Sequence, residues 1–202
     1  APTPPRSPPA GQGTQVSGGP DSPYDSTLLR NAESLYQGYG LKRVYYSAFS
    51  PIPDSPGSVP LAAPPLLREH RLYQADFLLR GYGYKAGELL GQSGNLALDI
   101  DPKLAWALAN REVFPLDVNR AEPALLARIP GIGLRSVQRL VALRRERRIR
   151  YDDLIQLRCV LDKARPFIVT SDYRPAQAEL RSGLLRARLR EPQAPVQMGL
   201  WG

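Results

Sequence analysis

Two glycines flank a single isoleucine in Ile129-Pro130-Gly131-Ile132-Gly133, and an arginine-rich run follows directly. Glycine adopts backbone conformations that cost other residues about 1–2 kcal/mol, and it lets the main chain approach another molecule closely. Unpaired amides at the start of a following helix carry partial positive charge and bind phosphate oxygens well. The spacing therefore predicts a tight turn whose amides bind phosphate, with Ile132 turned inward to hold the turn.

The charge around this turn points to the same chemistry. Residues 117–150 hold nine arginines against three acidic residues, a net charge of +6 in a chain whose total is +8. Arg135 and Arg139 are four residues apart and so share one helix face beside the turn, where guanidinium groups can bind phosphate. The predicted phosphate-binding residues are those of the turn and the basic run: Pro130, Gly131, Ile132, Gly133, Leu134, Arg135, Ser136, Arg139, Arg144, Arg145, Arg147 and Arg148.

The composition favours a globular protein with an anionic partner. Of 202 residues 43% are hydrophobic, and the positive charge makes nucleic acid the first candidate, with a merely basic protein as the alternative. The single cysteine, Cys159, allows no disulfide within the chain and no cysteine-ligated iron–sulfur cluster; we expect it to be a small core residue. Without an apolar run of about 18 residues, we expect a cytoplasmic, nucleoid-associated protein with no membrane partner.

The elements that position the turn are predicted to be mainly α-helices with a small β element, an α+β fold. Asp101-Pro102 and Asn119 are helix-start signals, and Ile129-Pro130 ends a helix. The prolines and glycines of residues 1–24 predict a loose arm. Helices are expected over 25–37, 66–80, 85–90, 102–112, 120–128, 134–147 and 178–190, and a strand over 43–49. The predicted units are 1–24, 25–112, 113–170 and 171–202.

Several other polar residues have a structural and a functional interpretation. Asp99 and Asp101 resemble a carboxylate pair for a metal, but the Asp-Pro pair favours a helix cap. Tyrosines could stack on bases, although their positions are more typical of a core: Tyr45, Tyr46, Tyr73, Tyr82 and Tyr84.

The turn and its flank resemble the helix-hairpin-helix DNA-binding motif, whose hairpin reads apolar-Pro-Gly-apolar-Gly. That pattern is intact at 129–133, after Asp117-Val118-Asn119-Arg120-Ala121. The resemblance implies contacts to backbone phosphates without base reading, and a monovalent cation at the hairpin is a candidate ligand. An ordinary helical hairpin with a glycine C-cap is the alternative, but it explains neither the second glycine nor the arginines.

Such motifs often occur in pairs, and residues 151–168 resemble a second, degenerate copy. Laying Leu157-Arg158-Cys159-Val160-Leu161 over 129–133 keeps the apolar positions, while Cys159 and Leu161 replace the two glycines. We therefore expect a pseudo-symmetric pair with one functional hairpin.

The stretches LKRVYYSAFSPIP, LLREHRLYQADFLLRGYGY, LDIDPKLAWALANREVFPLDVNRA and ARPFIVTSDYRP resemble the C-terminal region of a bacterial family of radical SAM proteins assigned to DNA modification or repair. Proteins of this family are often encoded beside a uracil-DNA-glycosylase-like protein. The resemblance implies that residues 25–112 are the C-terminal elements of an incomplete βα barrel together with linking helices. The family's cluster motif needs three cysteines, so an iron–sulfur cluster and S-adenosylmethionine are expected only if a separate chain supplies the barrel half that bears them.

The C-terminal Gln197-Met198-Gly199-Leu200-Trp201 resembles the bacterial sliding-clamp-binding peptide. Leu200 and Trp201 would fill an apolar pocket, while Gln197 and Met198 complete the contact. The alternative is a tail whose tryptophan folds back on the protein.

Together these features predict a non-sequence-specific DNA-binding protein of DNA repair or maintenance that is not an enzyme on its own and has no catalytic residues. Two alternatives remain open. One is a non-catalytic subunit or C-terminal piece of a radical SAM DNA-modifying enzyme. The other is an adaptor between the sliding clamp and a uracil-DNA-glycosylase-like protein.

Overall fold

The computed structural model describes residues 13–18, 24–48, 66–91 and 93–190. The fold is mainly helical with two short pairs of parallel strands, in agreement with the predicted class. The strands are β1 (Gly13–Gly18), β2 (Arg43–Ala48), β3 (Leu116–Asp117) and β4 (Ile168–Val169). The helices are α1 (Asp25–Tyr39), α2 (Leu66–Tyr82), α3 (Ala86–Leu89), α4 (Pro102–Ala109), α5 (Pro123–Arg128), α6 (Leu134–Leu143), α7 (Tyr151–Gln156), α8 (Leu161–Ala164), α9 (Gln177–Arg181) and α10 (Leu185–Arg188).

The prediction of a loose arm over 1–24 is wrong for β1, which pairs in parallel with β2 from Gly13↔Arg43 to Gly18↔Ala48. This pairing is a long-range contact that local composition does not reveal, so the Gly-rich sequence favoured a loop. Residues 1–12 and 19–23 lie outside the described part of the chain. Helices α1 and α2 pack beside this pair and bury Val44 and Tyr46 of β2.

Buried carboxylates join the first helices to their neighbours. Asp76 on α2 accepts hydrogen bonds from Tyr36, Tyr46 and Arg80, which connects α1, β2 and α2. Asp25 is the first residue of α1, and its carboxylate accepts from Arg68 and from the amide of Leu96.

The predicted helix start at Asp101-Pro102 is confirmed. Oδ1 of Asp101 accepts from the amide of Leu104 at 2.9 Å, and Pro102 occupies the first helical position. Oδ2 accepts from Lys163 at 2.8 Å, which joins α4 to α8. Asp99 forms ion pairs with Arg186 and Arg190. Within the described residues, no cluster of histidine, cysteine and acidic side chains could hold a metal ion.

The prediction that Asn119 caps the helix before the hairpin is wrong. Helix α5 begins at Pro123, after a turn over 118–121. The Asn119 amide instead pairs with the backbone of Ile149: Nδ2 donates to the carbonyl at 3.2 Å, and Oδ1 accepts from the amide at 2.7 Å. Helix α6 ends at Leu143, four residues before its predicted end.

Strands β3 and β4, which the sequence analysis missed, pair in parallel through Leu116↔Ile168 and Asp117↔Val169. Phe114 contacts both Trp106 and Phe167 edge-on, with ring centroids 6.2 and 5.1 Å apart, so the core continues from α4 into the following segment. The single basic helix predicted over 178–190 is two short helices, α9 and α10. No helix among the residues seen here combines the length and apolar character needed to cross a membrane.

Candidate nucleic-acid interface

The glycine turn joins α5 to α6 and forms a tight helical hairpin. Gly131 has a φ of 79°, a conformation that favours glycine. The amide of Ile132 donates to the carbonyl of Ile129 at 3.2 Å, and both isoleucine side chains are buried, as is Pro130. Ile132 therefore points inward, and neither its side chain nor that of Pro130 is available to a ligand.

Gly131 packs against Val160, in the loop between α7 and α8. The amide of Val160 donates to the carbonyl of Gly131 at 2.9 Å, and a Cβ on Gly131 would overlap the Val160 carbonyl oxygen. This glycine is needed where the α5–α6 hairpin packs against the α7–α8 hairpin. Gly131 therefore has a packing role, and its assignment as a phosphate contact stays a prediction.

The second hairpin follows a different register from the one predicted. Arg158, with a φ of 59°, lies three residues before α8, just as Gly131 lies three residues before α6. Val160 precedes α8 and accepts from the amide of Ala164 at 3.0 Å, as Gly133 accepts from Val137 at 2.9 Å. Arg158 and Val160, rather than Cys159 and Leu161, therefore correspond to the glycines. The intervening loop has four residues instead of five, which shifts the overlay by one.

Gly133, in contrast, is half-buried at the start of α6 and has room for a side chain. A Cβ there would meet only the hydroxyl of Tyr82, at 3.8 Å. In the described part of the chain, the amides of four successive residues donate to no protein acceptor: Gly133, Leu134, Arg135 and Ser136. These donors lie at the positive end of the helix dipole, where an anion is stabilised.

The structure divides the predicted arginines into two groups. Arg144 donates to the carbonyl of Ala121 at 2.6 Å, and Arg147 forms a two-bond ion pair with Asp153 at 2.6 and 2.8 Å. These two already have partners within the protein. The side chains of four others are exposed and form no hydrogen bond or ion pair with the rest of the described chain: Arg135, Arg139, Arg145 and Arg148.

The side chains of Ser136 and Cys159 also lie where the two hairpins pack together. The Ser136 hydroxyl donates to the carbonyl of Leu157 at 2.8 Å, so its side chain joins the two hairpins and only its amide is free. Cys159 is partly buried beside Ser136, and burial raises the pKa of its thiol. This agrees with the predicted packing role of the cysteine.

Lys103 on α4 is a neighbour of the hairpin that the sequence analysis missed. Its Nζ donates to the carbonyl of Ile132 at 2.5 Å and lies 4.7 Å from the ring centre of Tyr82. Burial lowers the pKa of Lys103 to about 7, against the opposing effects of Asp101 and Cys159. The only available signal was a lone cation in the otherwise apolar helix PKLAWALA.

The remaining predicted site residues are the tyrosines proposed to stack on bases and the C-terminal residues proposed to bind the clamp. Among the tyrosines, Tyr46 and Tyr84 are buried core residues, and Tyr82 lies beside the hairpin. The predicted clamp-binding residues at 197–201 lie outside the part of the chain that the structure describes.

Comparison of the chain with protein-family models, with curated proteins and with solved structures found no match in any of the three.

Proposed function

We propose that this protein binds DNA through its backbone phosphates, without reading the base sequence, in DNA repair or maintenance. The observation that carries the proposal is the row of four successive amides, beginning at Gly133, that donate to no acceptor among the described residues. A phosphate oxygen at this place would receive hydrogen bonds from the main chain in a region of positive potential.

The exposed arginines extend this surface. Arg135 lies in the first turn of α6 and Arg139 in the second, on the same helix face. Neither guanidinium has a partner among the described residues, so neither must leave an ion pair to bind phosphate. Arg145 and Arg148 add longer-range electrostatic attraction to DNA, which decays over about 10 Å at 0.1 M salt.

The arrangement also supports binding through one hairpin of the pair, as the resemblance to helix-hairpin-helix proteins implies. At the position of Gly133, the second hairpin has Val160, whose side chain is 53% exposed. A β-branched side chain there would keep a phosphate away from the amides that follow. Helix α8 is also only four residues long.

Binding of a fluorescent duplex of random sequence, measured by anisotropy over a salt series, tests the proposal. We expect the affinity to fall steeply with salt, and Arg135→Gln/Arg139→Gln to weaken binding by about tenfold. Arg30→Gln, which removes an exposed charge from α1, should change binding far less. The proposal would be contradicted if the wild type did not bind at low salt. It would also be contradicted if Arg30→Gln lost as much binding free energy per removed charge as Arg135→Gln/Arg139→Gln.

A second candidate is a subunit of a larger DNA-modifying enzyme of the radical SAM type, and the β1–β2 pair favours it. Parallel strands rarely form two-stranded sheets, because they are usually covered on both faces. Tyr45 of β2 is 48% exposed, on the opposite side from buried Val44 and Tyr46. Co-purification with a cysteine-bearing barrel polypeptide, with iron retained only by the complex, would support this candidate; a chain that binds no such partner would exclude it.

A further inference from the structure

We propose that Lys103 sets the strength of phosphate binding at the hairpin by polarising the peptide group between Ile132 and Gly133. The inference rests on the proposed function, because it concerns the same phosphate site. It gives a role to a residue that does not reach the ligand itself.

The carbonyl of Ile132 and the amide of Gly133 belong to one peptide group. Lys103 Nζ donates to that carbonyl at 2.5 Å, and Gly133 provides the first of the four free amides. A cation at a peptide oxygen draws electron density from the nitrogen, so the N–H becomes a stronger donor. Hydrogen bonds joined through one group strengthen one another in this way.

Among the described residues, no carboxylate forms an ion pair with Lys103, so its ammonium interacts mainly with the hairpin carbonyl. The nearest carboxylate, Asp101, forms its ion pair with Lys163 on α8 at 2.8 Å, and Lys103 forms no ion pair within the described residues. The face of Tyr82, 4.7 Å away, is the other group that stabilises the ammonium. The Tyr82 hydroxyl also borders Gly133, so one tyrosine lies close to both Lys103 and Gly133.

The ammonium can lose its proton near neutral pH. The titratable and charged groups that face it are Tyr82 from α2, Asp101 at the start of α4, Cys159 from the second hairpin and Lys163 from α8. Burial outweighs the two acidic groups and lowers the pKa of Lys103 to about 7. A phosphate bound beyond the peptide would favour the charged form, because opposite charges raise a lysine pKa. Phosphate binding should therefore weaken as the pH rises through this range.

Two measurements on the full chain test the role of Lys103. In the free protein, the ¹⁵N shift of Gly133 should titrate with a midpoint near 7 in the wild type and not in Lys103→Met. Duplex affinity should fall roughly fivefold from about pH 6.5 to about pH 8.5 in the wild type. Lys103→Met should bind weakly at both pH values, and Lys103→Arg, which keeps its charge, should bind well at both. Thermal melting checks that the variants fold.

A Gly133 signal that does not titrate, or that titrates equally in Lys103→Met, would overturn the inference even if DNA binds. So would Lys103→Met binding that matches the wild type. If the Gly133 signal titrates but the wild type binds no duplex, the proposed function fails and the role of Lys103 in it fails as well. The two measurements together therefore identify which of the two ideas is wrong.

Discussion

Gly131 and Val160 join the two hairpins through their backbones: the Val160 amide donates to the Gly131 carbonyl at 2.9 Å, and the bare Cα of Gly131 lies against the Val160 carbonyl. The neighbouring glycine, Gly133, makes no such contact. The two glycines of one motif therefore serve different purposes, since the first permits packing and the second leaves the helix start accessible.

Gly131→Ala should destabilise the fold. A side chain at a φ of 79° costs about 1–2 kcal/mol, and overlap with the Val160 carbonyl adds about 1–3 kcal/mol. Urea unfolding should show a free energy of unfolding lower by at least about 2 kcal/mol. An unchanged unfolding midpoint would show that the hairpins do not pack as described.

Gly133→Ala should leave stability nearly unchanged and weaken DNA binding by about tenfold, which corresponds to about 1.4 kcal/mol. In the free protein the added methyl group meets only the Tyr82 hydroxyl, and it removes the close approach to a ligand that a bare Cα allows. Duplex binding by anisotropy measures the effect. Gly183→Ala is the control, because its Cβ meets open space away from the hairpin; a similar loss in both variants would argue against the amide site.

The ion pairs of Asp99 should make the attachment of the C-terminal helices sensitive to acid. Hydrogen bonding from Arg186, followed by its charge, lowers the pKa of Asp99 from 3.8 to about 2. A carboxylate whose folded-state pKa is depressed stabilises the fold above its unfolded pKa, and this contribution is lost as the pH falls from about 4 to about 2.

Melting temperatures measured at neutral pH and near pH 2 test this prediction. Asp99→Asn should lower stability at neutral pH by less than about 1 kcal/mol, because the arginines are partly solvated, and the difference should vanish near pH 2. Asp152→Asn removes an exposed acid from α7 and serves as the control. An Asp99→Asn effect that persists at low pH would exclude the ion pairs as its cause.

The C-terminal sequence predicts binding to the bacterial sliding clamp. Leu200→Ala/Trp201→Ala should abolish retention of the chain on immobilised clamp, because both apolar anchors of the peptide are lost. DNA binding by the same variant should be unchanged, which separates the two surfaces. If the wild-type chain is not retained, the tail is not a clamp-binding peptide.

The features that could be predicted from the sequence are those with a local signal. Asp101-Pro102 identifies a helix start, apolar residues three and four positions apart identify α2 and α6, and the Pro-Gly-Ile-Gly turn identifies the hairpin. Each depends on residues within a few positions of one another, so short-range sterics and hydrogen bonding determine the outcome.

The features that were missed depend on distant partners. Asn119 is a good cap by type, but Ile149 provides a better-matched partner 30 residues away. Strand β1 exists because β2 accepts its backbone hydrogen bonds. Lys103 acquires its place only when α4 packs beside a hairpin 29 residues later. Local patterns contain no information on which distant segments meet.

The pairing of β3 with β4 brings Asp117, where the chain leaves β3, close to Ile168, where it enters β4. A segment whose two ends are close together can be inserted into a surface loop of another protein without distorting that loop. The 50 positions between the paired strands, 118–167, therefore have the end-to-end geometry that such an insertion needs.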